Sequence, residues 1–97
     1  LWPKQIEVVS RNTNGDGVEL TIAKSDQWPL PPATPGQRIR FHIDQDLIAI
    51  AQVKSHADDQ TILHIEPSQT SDPATAYLLE KVMTGDKLIV TGPFGRG

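Results

Sequence analysis

Apolar and polar positions alternate through most of the first two thirds of the chain. Residues 5–11 (Gln-Ile-Glu-Val-Val-Ser-Arg) read as a first strand, and residues 12–17 (Asn-Thr-Asn-Gly-Asp-Gly) predict a hairpin turn, because they tolerate positive φ. Val18, Leu20 and Ile22 then share one face against Glu19, Thr21 and Ala23, a period of two. The proline-rich connection from Trp28 to Gly36 cannot join a sheet interior, and its closing Pro35-Gly36 is a turn signal. In residues 37–43, Ile39, Phe41 and Ile43 alternate with Arg38, Arg40 and His42. Residues 47–54 (Leu-Ile-Ala-Ile-Ala-Gln-Val-Lys) are apolar on both faces, the pattern expected of a strand covered on both sides. After a turn at Asp58-Asp59, residues 61–66 give a fifth strand.

The period then changes. Asp72-Pro73 offers a capping side chain followed by proline at the first helical position. Thr75, Leu78, Leu79 and Val82 fall at i, i+3, i+4 and i+7, which predicts a helix over 73–83, stopped by Thr84-Gly85-Asp86. A sixth strand follows over 87–91, and Gly92-Pro93-Phe94-Gly95 breaks the chain again. Five strands, one helix and one strand predict a mainly β fold. We expect a six-stranded antiparallel Greek-key barrel with one short helix before the last strand, since closure removes the edges that short strands otherwise expose.

Composition narrows the choices. Ninety-seven residues make one domain with one core, too short to add a nucleotide-binding layer. Eight prolines and seven glycines favour short strands and many turns over long helices. A net charge of −3 argues against nucleic acid as a partner, which would require a clustered basic surface. The absence of cysteine removes disulfides, thiolate metal sites and a cysteine nucleophile. No apolar run approaches a membrane span and no signal-peptide pattern opens the chain, so neither a membrane partner nor a location outside the cytoplasm is expected.

Three local motifs carry a resemblance. Pro35-Gly36-Gln37 precedes an alternating strand, Thr75-Ala76-Tyr77-Leu78-Leu79 opens the helix, and the run from Gly85 to Gly95 reads Gly-Asp-Lys-Leu-Ile-Val-Thr-Gly-Pro-Phe-Gly. They are similar to the P-G-Q-[YF], S-x-Y-L and G-D-x-[LV]-x-[VI]-x-G-P-[FL]-G motifs of the flavin-binding barrel of the ferredoxin-reductase family. The Pro-Leu-Pro-Pro run at 29–32 is also similar to loops of flavohaemoglobin-type members. The likeness covers nearly the whole chain, and the ending is its most specific part. It implies a barrel that positions FAD, with FMN as the other choice, for electron transfer from NAD(P)H bound on another domain or a redox partner protein. No glycine-rich loop follows a strand and opens a helix, so no nicotinamide-binding domain is expected within these residues.

The chain departs from the family where the flavin is gripped. The family's fourth strand carries R-x-[YF]-[ST], with the arginine on the pyrophosphate, the ring beside the isoalloxazine and the hydroxyl near its N5. Aligned on Lys54-Ser55, those positions are Ala49, Ala51 and Gln52. The family's glycine at the helix start falls on Asp72, whereas Thr75 fits its hydroxyl position. Losing the charged pair and the stacked ring is expected to weaken binding by about a hundred- to a thousand-fold, to weak binding or none.

The candidate cofactor-binding residues implied are Ala74, Thr75 and Ala76 at the helix start, where free amides and the dipole attract anions, together with Gln52, Ala51 and Arg40. Arg38 and Arg40 share one strand face and offer a replacement for the missing arginine. Each has a plain alternative: capping for Thr75, a solvated outer face for the arginines. Trp2 and Trp28 flank prolines at element ends, where they plug a barrel more readily than they stack on a ligand. His42, His56 and His64 fall in three segments without ligand spacing, so no metal site is expected. Asn12-x-Asn14-x-Asp16-Gly17 imitates a calcium loop but has Ala23 where the bidentate glutamate belongs. No catalytic residue is identified. The alternative function is a barrel without flavin, serving as an interaction or scaffold module.

Overall fold

The computed structural model describes residues 3–15, 17–25, 32–57, 59–66 and 73–95. The described elements are β1 (Lys4–Asn14), β2 (Gly17–Lys24), β3 (Arg38–Asp44), β4 (Leu47–Ala57), β5 (Gln60–Ile65), α1 (Pro73–Glu80) and β6 (Lys87–Phe94). The strands close into a barrel in the order β1-β2-β5-β4-β3-β6, and every neighbouring pair is antiparallel. The mainly β barrel with one short helix before its last strand, expected from the alternation, is the fold observed.

The inward faces follow the period of two. Val18, Leu20 and Ile22 of β2, Ile39 and Phe41 of β3, and Leu63 and Ile65 of β5 are buried together. Each fully buried side chain of this size contributes about 1.5–3 kcal/mol. On β4 the inward residues are small: Ala49 lies directly opposite Phe41, and Ala51 opposite Ile39. The aromatic ring of β3 takes the space that the alanines of β4 leave, a large-to-small fit across one strand pair.

β4 corrects one expectation. It is not covered on both faces, because its outward Ile48 and Ile50 are 45% and 52% exposed. A closed barrel has only one dry side, and here that side belongs to the alanines.

The first hairpin is tighter than the Asn-Gly-rich run suggests. Asn14 pairs with Gly17, which leaves a two-residue turn led by Gly15 at φ 63°. Helix α1 stops at Glu80, earlier than the predicted Val82–Met83. The amides of Lys81 and Val82 both turn back to the Tyr77 carbonyl (2.9 and 3.2 Å), and the chain then leaves the helix to pair with β1. There the Gly85 amide donates to the Val8 carbonyl at 2.7 Å, and the Val8 amide to the Asp86 carbonyl at 2.9 Å. The Asp86 carboxylate receives the Met83 amide at 2.9 Å, and Gly85 takes φ 98°. Val82 lies beyond the helix yet is fully buried, so the helical stripe marked a buried side chain correctly and a boundary wrongly. Arg11 of β1 donates to the Leu79 carbonyl and ties that last turn to the barrel.

Candidate functional site

Strand β6 does not end at Thr91 but continues to Phe94, paired with Arg38 of β3 across a register shift. Gly92 permits this path. It has φ 125°, and an added Cβ would lie 3.1 Å from the Arg38 carbonyl oxygen and 3.2 Å from the Phe94 ring. The turn before β3 is fastened to the same place. The Gly36 amide donates to the Val53 carbonyl, the Gln37 side chain accepts from the Thr34 amide (2.9 Å), and Gln37 Nε2 donates to the Gly95 carbonyl (3.0 Å). Two of the three motifs that carry the sequence resemblance therefore touch, through one glutamine side chain.

This clasp frames the outer face of β3, β4 and β6. The strand registers lay out its side chains in lateral rows. One row runs Ile48, His42, Ile89; the next Ile50, Arg40, Thr91; the third Gln52, Arg38, Phe94. His42 Nε2 lies 2.8 Å from the Thr91 hydroxyl. The Arg40 guanidinium sits over the Phe94 ring, 4.5 Å from its centroid. Neither Arg38 nor Arg40 takes part in an ion pair among the described residues.

Two clefts open on this face. A smaller one of about 140 Å³ is lined by Arg38, Arg40, Ile50, Phe94 and Gly95. A larger one of about 370 Å³ is lined by Gly36, Arg38, Ile50, Gln52, His64 and Glu66. They share Arg38 and Ile50, so they form one groove with an apolar end beside Phe94 and a polar end beside His64. Cations beside flat apolar surface suit a planar anionic ligand.

The residues expected at a site divide into two groups. Arg40 and Gln52 stand on this groove. Ala51 stands in the core, 1% exposed, and so does Ala49; their side chains do not reach the outer surface. The outward positions of β4 include Ile48, Ile50, Gln52 and Lys54, so an outward-facing R-x-[YF] pair would fall on Ile48/Ile50 or Ile50/Gln52, one residue to either side of the alignment on Lys54-Ser55. The signal that locates them was present in the sequence: small alanines at every second position, which fit opposite bulky residues of β3. Ala74 is buried, Thr75 and Ala76 are half-buried on the first turn of α1, and none of the three lines either cleft. Asp72, Trp2, Trp28, the run 29–31 and the turn residues Asp16 and Asp58 lie outside the described residues. Among the described residues no group of three His, Asp or Glu side chains is placed to hold a metal, and no helix is long and apolar enough to cross a membrane.

The barrel has counterparts of known structure. The full-length CYP116B46 from Tepidiphilus thermophilus matches with a TM-score of 0.81 at 24% identity, over 95% of this chain and 13% of that one. Flavohemoglobin from Malassezia yamatoensis, solved with bound FAD and heme, matches with a TM-score of 0.75 at 18% identity, over 99% of this chain and 26% of that one. The flavohem-like FAD/NAD binding domain of nitric oxide dioxygenase from Vibrio cholerae O1 biovar El Tor matches with a TM-score of 0.74 at 16% identity, over 96% of this chain and 44% of that one. This chain has their barrel. The resemblance read from the closing motif thus holds at the level of the fold, and the chain spans less than half of each of these proteins. No family model and no curated protein matches the sequence at a significant level.

Proposed function

We propose that this chain is the flavin-binding barrel of a ferredoxin-reductase-type oxidoreductase, one that receives electrons from NAD(P)H held on a further domain or a redox partner. The observation that carries the reading is the groove. Two arginines that make no ion pair among the described residues flank an apolar slot between Ile50 and Phe94, on the outer face framed by the Gln37–Gly95 clasp. The residues present fit a flavin of either kind: flat apolar contacts for the ring, cations for the phosphate. Arg40, fixed over Phe94, completes a platform on which a planar ring rests, and Ile50 covers its other edge. A bound flavin would supply two-electron acceptance and one-electron release at that platform. The chain's own part is to orient the ring, keep water from one face and balance the phosphate charge. Thr75 and its neighbours contribute at most a second, separate anion contact at the start of α1. The location that goes with this role is the cytoplasm.

Titration of FAD and FMN against the protein, followed by flavin fluorescence quenching, tests the reading. Saturable binding in the micromolar range is expected, lost when Phe94→Ala and Arg40→Ala are combined. A second reading has its own observation. Ile48, Ile50 and Ile89 are exposed on this one face, as on an interaction module. Flat titrations with both flavins would favour that module.

A further inference from the structure

We propose that the larger cleft is a diphosphate site, formed by Arg38, Gln52 and His64 on three adjacent strands, and that it selects FAD over FMN. The proposal rests on the flavin reading of the adjoining smaller cleft and assigns the other half of the ligand. The strand registers place Gln52 beside Arg38 and His64 beside Gln52, so one lateral row carries a guanidinium, an amide and an imidazole across β3, β4 and β5. Neighbouring strands are about 4.8 Å apart, which spreads these donors over roughly 10 Å, a span for two linked phosphates more than for one. All three line the same cleft of about 370 Å³, which meets the smaller cleft at Arg38 and Ile50.

The donors divide by what already holds them. Arg40 is committed to the Phe94 ring, whereas the Arg38 guanidinium and the Gln52 amide engage no other side chain among the described residues. His64 is the most constrained of the three. Its ring lies against Gly17, where a Cβ would come within 3.0 Å of Cε1, and its Nε2 lies 3.4 Å from the Glu66 carboxylate. The Gly36 amide, also at this cleft, is used up by the Val53 carbonyl at 3.0 Å. Glu66 is the one acid of the lining, and its side chain is 79% exposed at the rim. It opposes an anion in the cleft, so its removal has a defined sign.

The test uses four probes on the whole chain: FAD, FMN, riboflavin and ADP, titrated by calorimetry and by flavin fluorescence. Arg38 is exposed, so Arg38→Ala is expected to fold as the parent does, with circular dichroism as the check. Arg38→Ala should weaken FAD by about 10- to 100-fold, the range for one charge-assisted contact. It should abolish the weaker binding of ADP and weaken FAD by a clearly larger factor than riboflavin. Glu66→Gln should tighten FAD and ADP several-fold and leave riboflavin alone. An Arg38→Ala variant that changes FAD and riboflavin binding by the same factor would overturn the diphosphate site while the flavin reading stands. Arg38-dependent ADP binding, with riboflavin unbound and FAD no tighter than ADP, would uphold the diphosphate site and remove the flavin. FMN bound as tightly as FAD would overturn the selectivity.

Discussion

The closing segment and the fourth strand are neighbours through β3, and they relate to the family pattern in opposite ways. From Gly85 to Gly95 the chain keeps the pattern, and the kept residues shape the path of the strand or brace it. Gly85 and Gly92 take positive φ, Asp86 holds the Met83 amide, and Phe94 lies under Arg40. On β4 the strand is kept and the outward side chains are not. Its outward Ile48, Ile50 and Gln52 offer neither arginine nor aromatic ring, while the inner alanines complement Phe41 and Ile39. Residues that determine the path of the backbone cannot be exchanged without a cost in stability. Residues that only face outward can change without that cost, and on the same outer face β3 carries two arginines, Arg38 and Arg40.

The largest effect separates the two faces of β4 directly. Ala49→Arg with Ala51→Tyr puts a charge and a large ring into the core opposite Phe41, and the protein should not fold, since an unpaired buried charge alone exceeds the margin of a domain this size. The same residue types one position earlier, Ile48→Arg with Ile50→Tyr, stand outside. That variant should fold and keep its melting temperature within a few degrees, by calorimetry. A folded first variant, or an unfolded second, would break the assignment of faces.

Next comes the closing segment. Gly92→Ala forces a side chain into a backbone conformation that only glycine adopts readily, against the Arg38 carbonyl, and should cost about 2–3 kcal/mol. For a domain of this size that lowers the melting temperature by roughly 10–20 °C. The smallest effect belongs to the clasp. Gln37→Ala removes two exposed hydrogen bonds and should cost about 1 kcal/mol in urea unfolding. It should weaken flavin binding more than it weakens the fold, because it frees the Gly95 end of the groove.

The sequence made the barrel legible because alternation and core facing are the same signal in a closed sheet. Val18, Leu20, Ile22, Ile39 and Phe41 are all inward where the period of two put them. It misled on β4, where two isoleucines outside two alanines look like burial on both sides. Periodicity assigns a face by apolarity, and apolarity alone does not tell a small inner residue from a large outer one. The helix end was missed because the pull on residues 82–86 comes from Val8, at the far end of the chain. Strand geometry pointed to Arg40 and the family alignment to Gln52, and both line the groove. The groove itself was not legible, since it requires the registers of β3, β4, β5 and β6 together.

A flavin resting on the outer face of β3, β4 and β6 would perturb the backbone amides around it and leave the rest of the barrel alone. Amide chemical-shift mapping with FAD on the isotope-labelled protein reads that pattern residue by residue. Saturable shifts are expected at residues 36–40, 50–52, 64–66 and 91–95, with the turn of the β1–β2 hairpin unmoved. Shifts confined to the start of α1, or none at millimolar FAD, would rule the groove out as the flavin site.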